Sequence, residues 1–386
     1  MPQQVDSLFP EDQPGAESGA RRSTGILPSQ ALRGMIGRRE IDGDVAVDSS
    51  QIQPASLDLR LGHVAYRVRA SFLPGPQSRV QSKIDMFGMH EIDLSRGAVL
   101  ERGCVYIVPL LESLALDKAV SGLANPKSSA GRLDIFTRLI TDYAVTFDNV
   151  PKGYRGPLYV EISPGTFSVL VRTGTRLNQL RLRRGNPRYF DGPVRQLHER
   201  EGLVGSESGN ADISGGVAFT ADLTGDGDGK PIGYRADKHA GLIDFDKPGH
   251  YDWTEFWEPI YPKRNASLIL DPGDFYILVS KESVAVPPDY AAEMRAYDTL
   301  VGEFRVHYAG FFDPGFGHAD AGGDGSRAVL EVRSHDVPFV LEDGQTVGRL
   351  LYERLTETPD LLYGPSIGST YQRQGLMLGK QFKQAD

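Results

Sequence analysis

The residues best suited to chemistry are Lys127-Ser128-Ser129-Ala130-Gly131-Arg132. Two adjacent hydroxyls and the backbone N–H groups of a tight turn make a concavity that suits an anion. Arg132, three residues past Ser129, can add fork-shaped, charge-assisted hydrogen bonds to phosphate oxygens. Standing alone, such a pattern is more often a surface turn. A second basic run, Arg176, Arg181, Arg183 and Arg184, reads first as an exposed strand edge protected by charge and second as phosphate steering. The single cysteine, Cys104, rules out an intrachain disulfide and a thiolate metal cluster. The eight histidines are scattered without metal-ligand spacing. Asp222 to Asp228 faintly resembles a calcium loop, but it lacks a third ligand at the expected place and a glutamate at its end; a Gly-rich hairpin turn or linker explains it better.

The elements that must position these residues are mainly strands. Short β-rich runs, Cys104–Leu110, Pro157–Ile162, Phe275–Val279 and Ala328–Val332, alternate with Gly, Pro, Asp and Asn turns, which describes an antiparallel sandwich or barrel. Helical periodicity appears at Ser29 to Arg39, with Ser29 as N-cap, and at Asp289 to Tyr297. The chain also repeats itself. Leu100-Glu-Arg-Gly103-Cys-Val-Tyr106-Ile107 returns as Leu270-Asp-Pro-Gly273-Asp-Phe-Tyr276-Ile277, an offset of 170 positions that also pairs Glu161 with Glu331 and Leu180 with Leu350. A constant offset over this span predicts a duplicated domain.

The chain has 386 residues, enough for two or three domains. The expected division is a disordered leader over 1–25, a first domain over 26–204, a Gly/Asp-rich linker or hairpin over 205–236, and a second domain over 237–386. The leader lacks the apolar core of a signal peptide, and no run is long enough for a membrane helix, so a cytoplasmic location fits. A net charge of −9 argues against a general nucleic-acid binder, while leaving room for a small anionic ligand held by local cations.

With Ile52-Gln53-Pro54-Ala55-Ser56-Leu57-Asp58-Leu59-Arg60-Leu61-Gly62 upstream, the Lys127–Arg132 segment resembles the dCTP deaminase family of the dUTPase superfamily, in a double-length form. The resemblance implies a mostly β protein of two tandem dUTPase-like antiparallel β-barrel or sandwich domains. It reads Gln53 to Gly62 as a buried first strand with Asp58 and Arg60 as an internal polar pair. In the second half, Ala309-Gly310-Phe311-Phe312-Asp313-Pro314-Gly315-Phe316 resembles the hairpin that holds the pyrimidine and discriminates the sugar. The family's working glutamate falls at Glu331, and its closing tail residues fall at Tyr363 and Gln374. The family lysine between those two falls at Thr370, a departure, and the loop from His318 to Ser326 is lengthened.

The halves look complementary. The first keeps the phosphate turn, with its substrate contacts at Lys127, Ser128, Ser129 and Arg132, but lacks the Ala-Gly-Phe hairpin. The second keeps hairpin, glutamate and tail, and its own turn has decayed to Arg295–Leu300. Superfamily sites form between trimer subunits, so the resemblance implies one composite site of Ser128, Ser129, Arg132, Asp313 and Glu331, with Glu161 as relic or supporting partner.

Converting a cytosine amino group to a carbonyl needs water at C4, a proton at N3, and departure of ammonia. Nucleobase deaminases that use zinc hold it with His/Cys and Cys-x-x-Cys ligands, which this chain cannot supply. General acid–base catalysis by a carboxylate is the remaining route. Mg²⁺ is expected to travel on the triphosphate. The implied partners are dCTP and dUTP, with dTTP as an inhibitor by analogy with some relatives, no nucleic acid and no membrane; a homo-oligomer is open. The rival readings are a dUTP diphosphatase or bifunctional enzyme using Asp313, and a non-catalytic nucleotide-binding module.

Overall fold

The computed structural model describes residues 22–205, 211–225, 227, 229–295, 304–306, 310–334, 336–364 and 375–383. The fold is mostly β, as the sequence predicts. In the first half, the strand Val105–Ala115 lies between Val64–Val68 and Arg155–Pro164, and the latter pairs onward with Ile135–Thr141. A second sheet centres on Asn178–Arg184, flanked by Val120–Pro126 on one side and by Leu57–Leu59 and Gly25–Ile26 on the other.

The second half builds the same pairings in the same register. Phe275–Val284 pairs with Ser326–Ser334, and Thr346–Arg354 pairs with Tyr290–Arg295. Glu161 stands opposite Ile107, and Glu331 opposite Ile277. Leu180 faces Ala124, and Leu350 faces Met294. Val169 faces Leu100, and Phe339 faces Leu270. Each second-half pair lies 170 positions after its first-half counterpart.

Strand alternation decides which core each face joins. Along Ser326–Ser334, the even residues Ala328, Leu330 and Val332 pack into the second-half core with Tyr276 and Leu278. The odd residue Val329 joins the first-half core, together with Phe275 and Ile277 of the neighbouring strand. Glu331 is on that odd face, so it looks toward the first half. The matching face in the first half has a different cover: Ile107 and Tyr159 pack under Val80 and Ile84 of the helix Val80–Phe87.

Several local expectations change. In the described part of the helix expected over Asp289 to Tyr297, Tyr290–Arg295 is a strand, paired with 349–354 on one side and with Phe311–Phe312 on the other, which satisfies its backbone as a lone short helix would not. The first helix spans Ser29–Gly37 with Pro28 at its N-cap, and Ser29 is the first helical residue. Its hydroxyl bonds Gln30 and Asp360 instead. Two helices, Val80–Phe87 and Asp191–Glu201, were not anticipated.

The arginine run is not an edge: Asn178–Arg184 is paired on both sides, and Arg181 is 1% exposed. The span 205–236 is no simple spacer either. Val217–Thr220 pairs with the strand Thr346–Arg354, and Ile213, Phe219 and Leu223 are buried in the second core. Asp222, from the calcium-like stretch, bonds Arg327 and caps Thr224 and Gly225. Of the expected leader, 22–25 are described: Arg22 N–H donates to Thr356 O, and Gly25 starts a strand. Among the described residues, no helix is long and apolar enough to cross a membrane.

Candidate active site

The Lys127–Arg132 segment folds as a single helical turn, Ser128–Gly131, after the strand Val120–Pro126. Ser128 is exposed and Ser129 buried. Lys127 sits at the N-cap, and its Nζ bonds Asp58 Oδ1 at 2.6 Å and Oδ2 at 2.5 Å. Arg176 stands 3.9 Å from the same carboxylate. Asp58 and Arg60 therefore do not pair with each other. Arg60 goes to Glu112, Nε to Oε1 at 2.7 Å, and Gln51 Nε2 donates to the same oxygen at 2.8 Å. A direct Asp58–Arg60 pair would leave Glu112, which is 1% exposed, as a buried charge without a counter-ion.

Arg132 does not project into solvent from the turn. It is 2% exposed, and its Nη1 donates to Met377 O at 3.1 Å and Leu378 O at 3.4 Å. Its charge also acts on the Glu331 carboxyl. Arg132 thus bridges the first half to both the tail and the glutamate of the second.

The structure separates the two glutamates. Burial pushes Glu331 up to about 8; Arg132 and a hydrogen bond from its own backbone N–H pull against this without overcoming it. Among the described residues, Glu331 has no ion-pair partner. Glu161 instead accepts from Arg138 Nε at 3.0 Å and, more closely, from Nη2. That guanidinium lies 3.7 Å from the Phe147 ring centre and 4.8 Å from that of Phe136. Glu161 is thereby held in an ion pair with Arg138.

Asp313 approaches the other end of the turn. It is buried, its carboxyl is raised by desolvation, and Arg181 opposes the rise, with Asp58 and Lys127 also within electrostatic reach. Arg181 donates to Asp313 Oδ1 at 3.1 Å, Phe312 O at 3.3 Å and Ala292 O at 3.0 Å, and stacks 4.0 Å from the Phe311 ring centre. Tyr363 closes on this hairpin, its N–H donating to Pro314 O at 2.8 Å and its ring centre 5.5 Å from that of Phe316. Ala309, Thr370 and Gln374 lie outside the described residues, as does Arg295–Leu300 beyond Arg295.

The sequence reading took Arg181 only as part of an exposed basic run and missed Lys380 altogether. Arg181 could have been found from its strand pattern: buried Leu180 and Leu182 alternate with it, so a charge on the other face becomes significant once the second half covers that face. Lys380 carries no such signal. It is half-buried, its Nζ is 5.7 Å from the Phe245 ring centre, and burial, then Lys127, push its ammonium down from the usual lysine range.

Residues 23–186 match the family description "2'-deoxycytidine 5'-triphosphate deaminase (DCD) N-terminal domain", and residues 191–382 match its C-terminal domain. The structure is similar to the crystal structure of 2'-deoxycytidine 5'-triphosphate deaminase from Agrobacterium tumefaciens, with a TM-score of 0.83 and 59% identity, covering 86% of this chain and 100% of that one. A "dCTP deaminase, dUMP-forming" of Pseudarthrobacter chlorophenolicus is 30% identical over 152 residues, 37% of this chain and 75% of the relative. One of Halobacterium salinarum with the same description is 36% identical over 110 residues, 28% of this chain and 52% of the relative.

Proposed function

We propose that this chain, which belongs to the 2'-deoxycytidine 5'-triphosphate deaminase family, hydrolyses the amino group of dCTP to give dUTP and ammonia, with Glu331 as the general acid–base. The observation that carries the assignment is a buried glutamate, raised to about 8 and without an ion-pair partner among the described residues, facing the phosphate-suited turn of the opposite half. In its ionised form Glu331 takes a proton from water as the oxygen bonds to C4, and delivers it to N3. A second proton transfer lets the C4–N bond break and ammonia leave. A pKa near the working pH suits both directions of transfer.

Lys127, Ser128 and Ser129 hold the phosphates. Arg132 links the tail to Glu331 and contributes charge to the phosphate end, Asp313 takes the sugar, backbone groups at Ala309 read the base edge, and Tyr363 and Gln374 close over the nucleotide. Glu161 is a supporting ion-pair residue. Mg²⁺ arrives on the triphosphate, held through phosphates and water. The carboxylates on either side of the turn, Asp58 and Asp313, each already pair with a cation. The reaction is zinc-independent, because a chain with one cysteine lacks the Cys-x-x-Cys ligands of zinc-dependent base deaminases. The common offset in register supports descent of the halves as tandem dUTPase-like domains by duplication.

The descriptions of the Pseudarthrobacter and Halobacterium relatives favour a second reading, in which the enzyme continues to dUMP. Incubation with dCTP and Mg²⁺ tests both. Ammonia with dUTP supports deamination alone; ammonia with dUMP and pyrophosphate supports the longer sequence. Binding of dCTP without ammonia release would leave only a nucleotide-binding module.

A further inference from the structure

Two residues beyond Arg132, the backbone at Asp134 has a φ of +55°, in the left-handed region that disfavours any side chain with a Cβ. The side chain held there at that cost is 3% exposed and fully engaged. Its Oδ2 accepts from Thr166 Oγ1 at 2.6 Å and, closer still, from Arg333 Nη2. Arg333 also donates to Thr166 Oγ1 at 3.0 Å and to Gly273 O at 3.3 Å. The pocket is shaped for this carboxylate: a Cβ on Gly165 would stand 2.3 Å from Asp134 Oδ2.

Asp134 belongs to the first half and Arg333 to the second. Arg333 follows Glu331 by two residues on the strand Ser326–Ser334, so both project from the same face, about 7 Å apart along the chain. Among the described residues, the groups placed on that side are Arg132 from the turn and the apolar Phe275, Ile277 and Val279 of the neighbouring strand; on the other flank, the strand Phe304–Val306 sets Arg305 opposite Arg333. Arg333 is thus the nearest cation on Glu331's own strand. In the first half, a guanidinium does reach the corresponding glutamate: Arg138 bonds Glu161.

We propose that Asp134 is a positioning residue that captures Arg333, keeps its guanidinium off Glu331, and pins the glutamate-bearing strand to the turn carrying Arg132. The role rests on the deaminase reading above, since it explains how Glu331 stays available as a base where Glu161 is not. Without the capture, Arg333 turns to Glu331 and makes a pair of the Arg138–Glu161 kind.

Asp134→Gly tests this, because glycine accepts the left-handed backbone and removes only the carboxylate. In the unliganded full-length protein, the ¹³C titration of the Glu331 carboxyl, assigned with Glu331→Gln, falls by about one pH unit or more in D134G. Deamination kcat drops about tenfold or more at the wild-type optimum, with KM for dCTP within about threefold. D134G/R333M, which removes the released cation, restores the titration and most of kcat. If D134G does not fold, Asp134→Asn serves, with a smaller fall of the same sign. A Glu331 titration that stays or rises in these variants, or a double variant that recovers nothing, overturns the proposal. Absence of ammonia release by the wild type would sink the deaminase reading alone, since the titration needs no turnover.

Discussion

Glu331 and Glu161 stand at the same register position of corresponding strands, opposite Ile277 and Ile107, yet among the described residues only Glu161 has a guanidinium hydrogen-bonded to its carboxyl. The difference comes from what covers each face. Beside Glu161 stands Arg138, and the helix Val80–Phe87 packs on its neighbours Ile107 and Tyr159, whereas Glu331 meets the other half of the chain, including the turn that carries Arg132. Glu331→Gln is therefore expected to lower kcat for ammonia release by on the order of 10³-fold. Glu161→Gln should leave kcat within about threefold and lower the Tm, since it removes one charge of a buried pair. The reverse ranking in an ammonia assay would exchange the two roles.

The pH dependence of Arg132→Ala follows from the sign of its effect. Arg132 lowers the pKa of Glu331, which burial has raised to about 8. Removing that cation lets the pKa climb further, so the rise of kcat/KM with pH, which tracks ionisation of the base, moves to higher pH. Weaker binding is expected too, more for dCTP than for deoxycytidine, because the phosphate end loses a charge. A pH–rate profile that coincides with the wild type would separate Arg132 from Glu331.

Arg181 ties Asp313 to its hairpin from across the two halves, with three acceptors and an aromatic face. Both members are nearly inaccessible, with side chains 1% and 8% exposed. Arg181→Met should destabilise the protein by about 3–5 kcal/mol in denaturant unfolding, the usual result of stranding one buried charge. R181M/D313N should recover part of that loss. If the double variant is as unstable as the sum of the singles, the pair is not coupled.

Much of this was legible in the residues. The strand-rich class followed from short alternating runs, and the offset that pairs Glu161 with Glu331 reappears as register in the sheets. The unequal use of the halves could be read from which motif each keeps, but the reason could not. Strand periodicity tells which residues share a face and not what lies against it. Thus Arg181, on a strand read as an edge, proved central, and Asp58 and Arg60 turned to partners distant in sequence, Lys127 and Glu112. Tyr290–Arg295 misled for a related reason: Ala, Glu, Met and Arg favour a helix locally, and pairing with the strand Thr346–Arg354 overrides them.

Asp148 gives a stability prediction separate from catalysis. Its backbone is left-handed, with φ of +59°, and its carboxyl accepts the Leu139 N–H at 2.7 Å. Though the residue as a whole is half-buried, its carboxyl is enclosed, and burial lifts it from 3.8 to about 7, against the pull of that hydrogen bond and of Arg138. A raised folded-state pKa means that the native state binds the proton more tightly than the unfolded chain does. The stability linked to it is complete below about 3.8 and is lost as pH rises toward and through about 7. Asparagine keeps the acceptor for Leu139 and tolerates the left-handed backbone, but cannot ionise. Asp148→Asn should therefore raise unfolding stability by roughly 1–2 kcal/mol at pH 8, and by progressively less as the pH is lowered toward 4. Urea unfolding across that range reads the difference directly. A gain independent of pH would mean that the Asp148 carboxyl titrates normally in the folded protein, and one that grows on acidification would mean that folding lowers its pKa; either result overturns the prediction.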